Sequence, residues 1–455
     1  SETDLINLIS YHEKRLFELQ TSIEYYNLLN GTINSQEYKN LSIEEQRYIQ
    51  NLLKRYQKNK NVPLDFYEEY SKVKAVANVM WRKAKNANDY KIYEPYLDKI
   101  IKLTKTYYEY MYPGASNIYD AMLSDYEYGV DSKLLDKLFS KLKEGIIKLI
   151  PNNEIKVEEP YFEYTNQQLN ECANYLLNYI GFDLNKGTLG IYPHGYTEKM
   201  SKNDIRIAFS YTNNPIDFVT TIIHEGGHAI YEQNISPNLA KYENVTVENL
   251  CALHESQSRF YENFLGRNKN FWIPIYDDIK NILNLNYTLD EFVSLLNTPK
   301  CNPIRTSADE LTYCMHIILR YEIERDIFNG KIKVSELPEI WNQKTKEYLN
   351  IEVQNDSEGL MQDVHWSEGD FGYFPSYLLG SIYDGMFFEA IQKQLGSVDE
   401  LLKNGKIKEI TDFLIKKIYI NGGAYTSLEI INKLCGKEIS VKPLINYFNN
   451  KYSKN

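Results

Sequence analysis

His224-Glu225-Gly226-Gly227-His228 places two imidazoles four residues apart with a carboxylate beside the first of them. In a helix that spacing stacks the histidines on one face, where both can reach a single metal ion. Glu225 is turned about a hundred degrees away, so it leans over the ion without ligating it and can take a proton from an attacking water. The chemistry is metal-assisted hydrolysis; the competing reading is a chance pattern on a buried helix. Two adjacent glycines cost roughly 1 kcal/mol each relative to alanine in a helix. Their presence predicts that backbone or substrate comes close at this point.

A hydrolytic zinc site takes three protein ligands and leaves a fourth position open. Between Thr246 and Gly266 the residues Leu250, Leu253, Phe260, Phe264 and Leu265 keep helical spacing, and the stretch carries His254-Glu255-Ser256-Gln257. The separation from His228 lets one helix end near Ser236-Pro237-Asn238 and the next return alongside it. Adjacent side chains on a helix diverge, so one of the pair reaches the ion. Glu255 is the expected ligand, because His-His-Glu is a common hydrolytic set. His254 is expected to be a hydrogen-bonding neighbour or a core histidine.

The elements that must position these groups are legible around them. Asn214-Pro215-Ile216-Asp217 reads as a helix start, with Asn as cap, Pro at the first helical position and an acid facing the positive end of the dipole. Ahead of it, Thr188 to Tyr192 and Asp204 to Tyr211 read as strands, with Ile205, Ile207, Phe209 and Tyr211 alternating with polar or small residues. From Leu5 to about Ile150 apolar residues recur three and four apart, as in Leu134, Leu135, Leu138, Leu142 and Ile146. Breaks are expected at Asn30-Gly31, Asn61-Val62-Pro63, Tyr112-Pro113-Gly114 and Pro151-Asn152-Asn153. The expected fold is mainly α with one small antiparallel β-sheet beside the metal helix. It divides into an N-terminal helical part (1–186) and a catalytic part (187–455) within one domain.

Composition bounds the function. The 455 residues are 43% apolar, which supports a large core, and the net charge of −11 repels phosphate backbones and anionic lipid. Neither nucleic acid nor membrane is an expected partner. No apolar run is long enough to span a bilayer, and Ser1-Glu2-Thr3-Asp4 lacks the pattern of a secretory signal. The five cysteines are odd in number and never in a Cys-x-x-Cys pair, which points to reduced thiols in a cytoplasm.

Several runs taken together resemble the thermostable carboxypeptidase Taq family of metallocarboxypeptidases. They are His224 to His228, His254 to Gln257, Ile304-Arg305-Thr306-Ser307-Ala308-Asp309, and Gly359-Leu360-Met361-Gln362-Asp363-Val364-His365-Trp366, in the family's order. Two signatures are partly kept: His194-Gly195-Tyr196 stands where the family usually has His-Pro-Phe, and Asp204 to Ala208 lacks the threonine of Asp-x-Arg-x-Thr. The resemblance implies a two-lobed helical fold around a deep groove, a homodimer, and removal of single residues from peptide C-termini with broad tolerance.

It also implies roles. Zinc, with cobalt as an alternative, would be held by His224, His228 and Glu255, and Glu225 would act as general base. The segment from His365 to Tyr377 corresponds to the oxyanion-binding region, with His365 and Tyr377 as donors and Tyr373 as substitute. A free carboxylate calls for a guanidinium, and Arg305 is the first candidate and Arg206 the second, with Asp309 and Asp204 as the acids that would hold them. The rival readings are an endo-acting oligopeptidase on the same metal site, a non-catalytic peptide-binding protein, and a helical interaction protein with incidental zinc.

Overall fold

Leu64–Ala87 (α1) and Tyr90–Met111 (α2) lie against each other as a hairpin, because Asn88 turns the chain with φ 51 and the Asp89 carboxylate accepts the Lys91 amide at 3.0 Å. The computed structural model describes residues 2–151, 160–240 and 250–453, and helices dominate them. Expected breaks at Asn61-Val62-Pro63 and Tyr112-Pro113-Gly114 fall between helices. The break at Asn30-Gly31 does not occur. The helix Ile23–Ile33 runs through it, since Ser22 caps its start and Leu29 is buried, and the chain turns only after Asn34. Asn152, Asn153 and Thr246 lie outside the described residues.

The sheet has strands Gly187–Ile191 (β1), Tyr196–Ser201 (β2) and Asp204–Phe209 (β3) in the order β1-β3-β2. It is mixed, which corrects the antiparallel expectation. β2 and β3 form an antiparallel hairpin with Tyr196 opposite Ala208, whereas β1 runs parallel to β3 with Gly187 opposite Ile205. The cause is the strand the alternation did not reveal: with β2 in between, the chain reverses twice and enters β3 in the direction of β1. Ile205, Ile207 and Phe209 are buried, and the Phe209 ring meets Phe218 edge-on at 5.5 Å. The sheet is thereby seated on Pro215–Gln233, the metal-motif helix.

Asn166–Ile180 (α3), Pro215–Gln233 (α4), Cys251–Arg259 (α5), Glu310–Phe328 (α6) and Phe374–Leu395 (α7) build the rest of the catalytic part. α4 starts as expected, with Asn214 Oδ1 accepting the Ile216 amide at 2.9 Å. Its glycines answer to backbone contact. A Cβ on Gly227 would stand 2.6 Å from the Gln257 carbonyl oxygen and 2.7 Å from Ser258 Cα, both backbone atoms of α5. One on Gly226 would meet only the side-chain tips of Ile180 and Leu177 on α3. On its other flank α5 is approached closely, though less tightly, by Gly380 of α7, whose Cβ would be 3.0 Å from the Ser256 nitrogen. α5 has no side-chain cap of its own residues. The buried Glu127 carboxylate of the N-terminal part accepts the Ala252 amide at 3.0 Å instead. Beyond Arg259 the helix continues as a wider turn over Phe260–Gly266, with i→i+5 hydrogen bonding.

Buried apolar side chains from Phe17 to Tyr452 form one contiguous core. The N-terminal helices use it to grip the segment after Met361. Trp81 Nε1 donates to the Met361 carbonyl at 3.0 Å, Lys85 to that of Gln362 at 2.8 Å, and Asn78 to Glu368 at 3.0 Å. Buried Glu324 of α6 closes the grip, accepting from Trp366 Nε1 at 2.6 Å, the Gly372 amide at 2.9 Å and the Tyr119 hydroxyl at 2.9 Å.

Candidate metal centre and its cavity

Side by side, α4 and α5 bring ligand atoms of His224, His228 and Glu255 within 4.8 Å of one another. Glu255 Oε2 is 3.6 Å from His228 Nε2, close to the separation of roughly 3.3 Å between two ligands of one tetrahedral zinc ion. His224 Nδ1 lies 2.9 Å from Glu262 Oε2, which fixes a tautomer with Nε2 left for the ion. The other Glu255 oxygen accepts from Arg259 Nε at 2.7 Å, and the Arg259 guanidinium lies 3.8 Å over the Tyr313 ring. Two imidazoles, one carboxylate and a backing carboxylate make a donor set that fits a divalent ion with an open position.

His254 does not join the set. Its ring stacks on His228 at 4.4 Å, and its Nε2 is 3.0 Å from Glu232, a half-buried acid that also faces Lys199. This is the hydrogen-bonding alternative read from the sequence.

Glu225 lies beside the ligands with Oε2 accepting from Thr197 Oγ1 at 2.7 Å. Burial pushes its carboxyl above the usual range, opposed by His224 and by that hydrogen bond. Residues 195 and 197 share a face at the start of β2, and both abut this carboxylate: a Cβ on Gly195 would be 3.2 Å from Glu225 Oε1.

The groups surround a cavity of about 680 Å³ whose lining residues lie between His194 and Tyr377. Arg305 forms part of its wall, buried, with Nε 2.9 Å from Asp363 Oδ1 and Nη1 donating to the Tyr313 hydroxyl at 2.8 Å. Arg320 takes the other Asp363 oxygen, at 2.7 Å from Nε. Burial pushes the Asp363 carboxyl up, but Arg320 and Arg305 outweigh it and hold it well below the usual carboxylate range. Two guanidiniums thus share one carboxylate, leaving the cluster one positive charge in excess, with Arg305 its member on the cavity wall. Asp309, expected to hold Arg305, instead caps α6 by accepting the Leu311 and Thr312 amides at 3.0 Å each. Arg206 lies outside the lining, exposed on β3 and paired with Asp204 at 2.8 Å.

Tyr373 and Tyr377 line the cavity, whereas His365 stands behind them with Nε2 3.1 Å from the Tyr377 hydroxyl. Burial lowers the His365 pKa to about 4, against the opposing pull of Asp363, so it is a neutral imidazole. Sequence reasoning missed Glu262, Thr197 and Arg259, and gave Asp363 no role. Glu262 alone left a trace, standing seven residues after Glu255 on a stretch read as helix.

A family model described as carboxypeptidase Taq (M32) metallopeptidase matches residues 5–452. The chain is 38% identical over 452 residues to carboxypeptidase 1 of Bacillus subtilis (strain 168), covering 96% of this chain and 88% of the relative. It is 31% identical over 447 residues to thermostable carboxypeptidase 1 of Pyrococcus furiosus, with the same coverage of 96% and 88%. The solved M32 carboxypeptidase of Deinococcus radiodurans R1 superposes with a TM-score of 0.89 at 25% identity, covering 96% of this chain and 89% of that one.

Proposed function

The chain belongs to the carboxypeptidase Taq (M32) family of metallopeptidases and is a metal-dependent carboxypeptidase; from that premise we propose that it releases single C-terminal residues from peptides by a zinc-dependent mechanism with Glu225 as general base. The observation that carries this reading is Arg305, which lines the metal cavity while its partner Asp363 is shared with Arg320 behind it, leaving the cluster one positive charge in excess with Arg305 as the member a substrate carboxylate could reach. An endopeptidase has no use for that charge.

His224, His228 and Glu255 would hold the ion, and two nitrogens with one oxygen suit zinc, with cobalt as an alternative. When bound, zinc supplies Lewis-acid activation of water and of the scissile carbonyl. Glu225, oriented by Thr197, takes the water proton and returns it to the departing amine. Arg305 binds the C-terminal carboxylate. Tyr377 and Tyr373 face the cavity and donate to the oxygen on which charge develops, and His365 orients Tyr377 rather than touching substrate. The exposed Arg206 is assigned no contact.

Broad tolerance is supported by Thr306 and Ala308 beside Arg305, which impose neither charge nor bulk. The contiguous core supports reading the chain as one catalytic domain. A homodimer is supported by the exposed apolar residues Leu8, Leu16, Leu19, Ile23 and Leu28 of the first two helices. Among the described residues no helix is long and apolar enough to cross a membrane; the scattered cysteines support a cytoplasmic location. Mass spectrometry of a mixed-sequence peptide incubated with zinc-loaded protein tests the reading. A ladder losing one C-terminal residue at a time, absent with chelator, is expected; internal cleavage would replace the exopeptidase reading with an endopeptidase.

A further inference from the structure

A second cavity, of about 480 Å³, backs onto the metal centre. Arg267 and Lys451 border it, and each is the far partner of a carboxylate that lines the catalytic cavity. Arg267 Nη2 lies 3.3 Å from Glu262 Oε1, the acid that holds His224. Lys451 Nζ binds Glu310, which also accepts from the hydroxyls of Tyr447 at 3.0 Å and Tyr452 at 2.7 Å. Between the two cavities stand these carboxylate–cation pairs, each with its acid on the catalytic side and its base on the other.

The rest of the lining has a different character. Glu389 and Asp399 carry negative charge, the former paired with Lys437 and the latter accepting from Asn268 at 2.7 Å. Phe388 and the stacked pair Phe264–Tyr447, 4.2 Å between centroids, make an apolar side. A simple anion would meet Glu389 and Asp399, and a simple cation would meet Arg267 and Lys451. A small zwitterion with an apolar side chain is complementary to all three surfaces.

We propose that this cavity is a binding site for a free apolar α-amino acid, its carboxylate toward Arg267 and Lys451, its ammonium toward Glu389 and Asp399, and its side chain against the aromatic wall. The site chemistry stands by itself; the source of the ligand as the enzyme's own product rests on the carboxypeptidase reading. Because Arg267 and Lys451 have their other partners in the catalytic cavity, occupancy is felt in turnover, as feedback from accumulated product.

Calorimetry with L-leucine on the zinc-loaded full chain tests this. Asn446→Trp alters an exposed residue on Lys442–Tyr452 (α8) that borders the cavity, and fills the space without removing an ion pair. Asn450→Trp, one turn on, repeats the test from the same helix. The expected result is a leucine-binding component in the wild type that weakens at least tenfold in these variants, and that neither leucinamide nor N-acetyl-leucine reproduces. Leucine inhibition of peptide hydrolysis should curve upward in the wild type and be linear in the variants. Identical leucine isotherms in wild type and both variants would overturn the proposal, as would equal binding of the singly charged analogues. A protein that binds leucine in this cavity but trims no peptide keeps the site and loses the product assignment.

Discussion

Gly227→Ala puts a methyl group where α5 passes closest to α4. The new carbon would stand 2.6 Å from the Gln257 carbonyl oxygen and 2.7 Å from Ser258 Cα, about 0.8 Å inside ordinary contact, and neither backbone atom can rotate away. The helices must part by that amount, and α5 carries Glu255. Metal ligands tolerate displacements of about 0.2 Å, so Glu255 is moved several times too far from His224 and His228. Weakening one of three ligands by about 3 kcal/mol corresponds to a loss of roughly a hundredfold in zinc affinity, with overpacking lowering stability by a further 1–3 kcal/mol. Gly226→Ala is the control, because its new carbon meets only the flexible tips of Ile180 and Leu177. The assay is competition for zinc against a chelator of known affinity, with thermal melts of both variants. If Gly227→Ala holds zinc as the wild type does, or Gly226→Ala loses it as badly, the argument from helix contact is wrong.

Glu225→Gln should reduce turnover by about 10²–10⁴-fold while metal content stays near that of the wild type, if, as proposed, the residue takes the proton and does not hold the ion; zinc analysis beside kcat reads this directly. Arg305→Lys keeps the charge but loses the planar fork, so KM for free-acid peptides should rise, with kcat/KM falling about 10–100-fold, and preference over C-terminally amidated peptides should shrink. Glu127, buried beneath the start of α5, has its pKa pushed up by burial to about 8, against hydrogen bonds from the Ala252 amide and the Tyr383 hydroxyl. The folded state therefore holds a proton that the unfolded chain releases near pH 4.5, and this contribution is full below that value and is lost as pH rises toward 8. Melting temperature should fall across that window by the equivalent of a few kcal/mol, and Glu127→Gln should flatten the slope.

The convergence of His224, His228 and Glu255 was readable partly from local periodicity and, for the choice of Glu255 over His254, from the frequency of His-His-Glu sets. Two histidines at a helical spacing need no tertiary information to share a face, and Glu255 sits on the next helix, whose return the turn residues announced. The close approach implied by Gly226-Gly227 was also foreseen, though the sequence left open whether backbone or substrate would fill it. What could not be read is what depends on side chains meeting across elements. Asp363 and Arg305 are 58 residues apart along the chain, and no spacing rule joins them. The stand-off of His365 from the cavity depends on how Trp366 and Gly372 are pinned to Glu324. The parallel pairing of β1 was hidden for a simpler reason: β2 turns Thr197, Lys199 and Ser201 inward and leaves Tyr196 and Met200 exposed, so it carries no inward hydrophobic signature to count.

The wide turn at Phe260–Gly266 stores slack in chain length. An i→i+5 turn accommodates an extra residue relative to the ordinary helix, so excising one residue between Arg259 and Gly266 would let the segment relax to standard winding and offset the swing of about a hundred degrees that a deletion causes elsewhere in a helix. Gly266, whose absent side chain leaves room for Ile223, and Arg267, which steadies Glu262, would keep their bearing toward the metal helix. A deletion within Cys251–Arg259 has no such slack to draw on. One residue lost from the wide turn should therefore leave metal binding largely intact, whereas one lost from α5 should abolish it, giving two neighbouring stretches of one helix opposite tolerance of length.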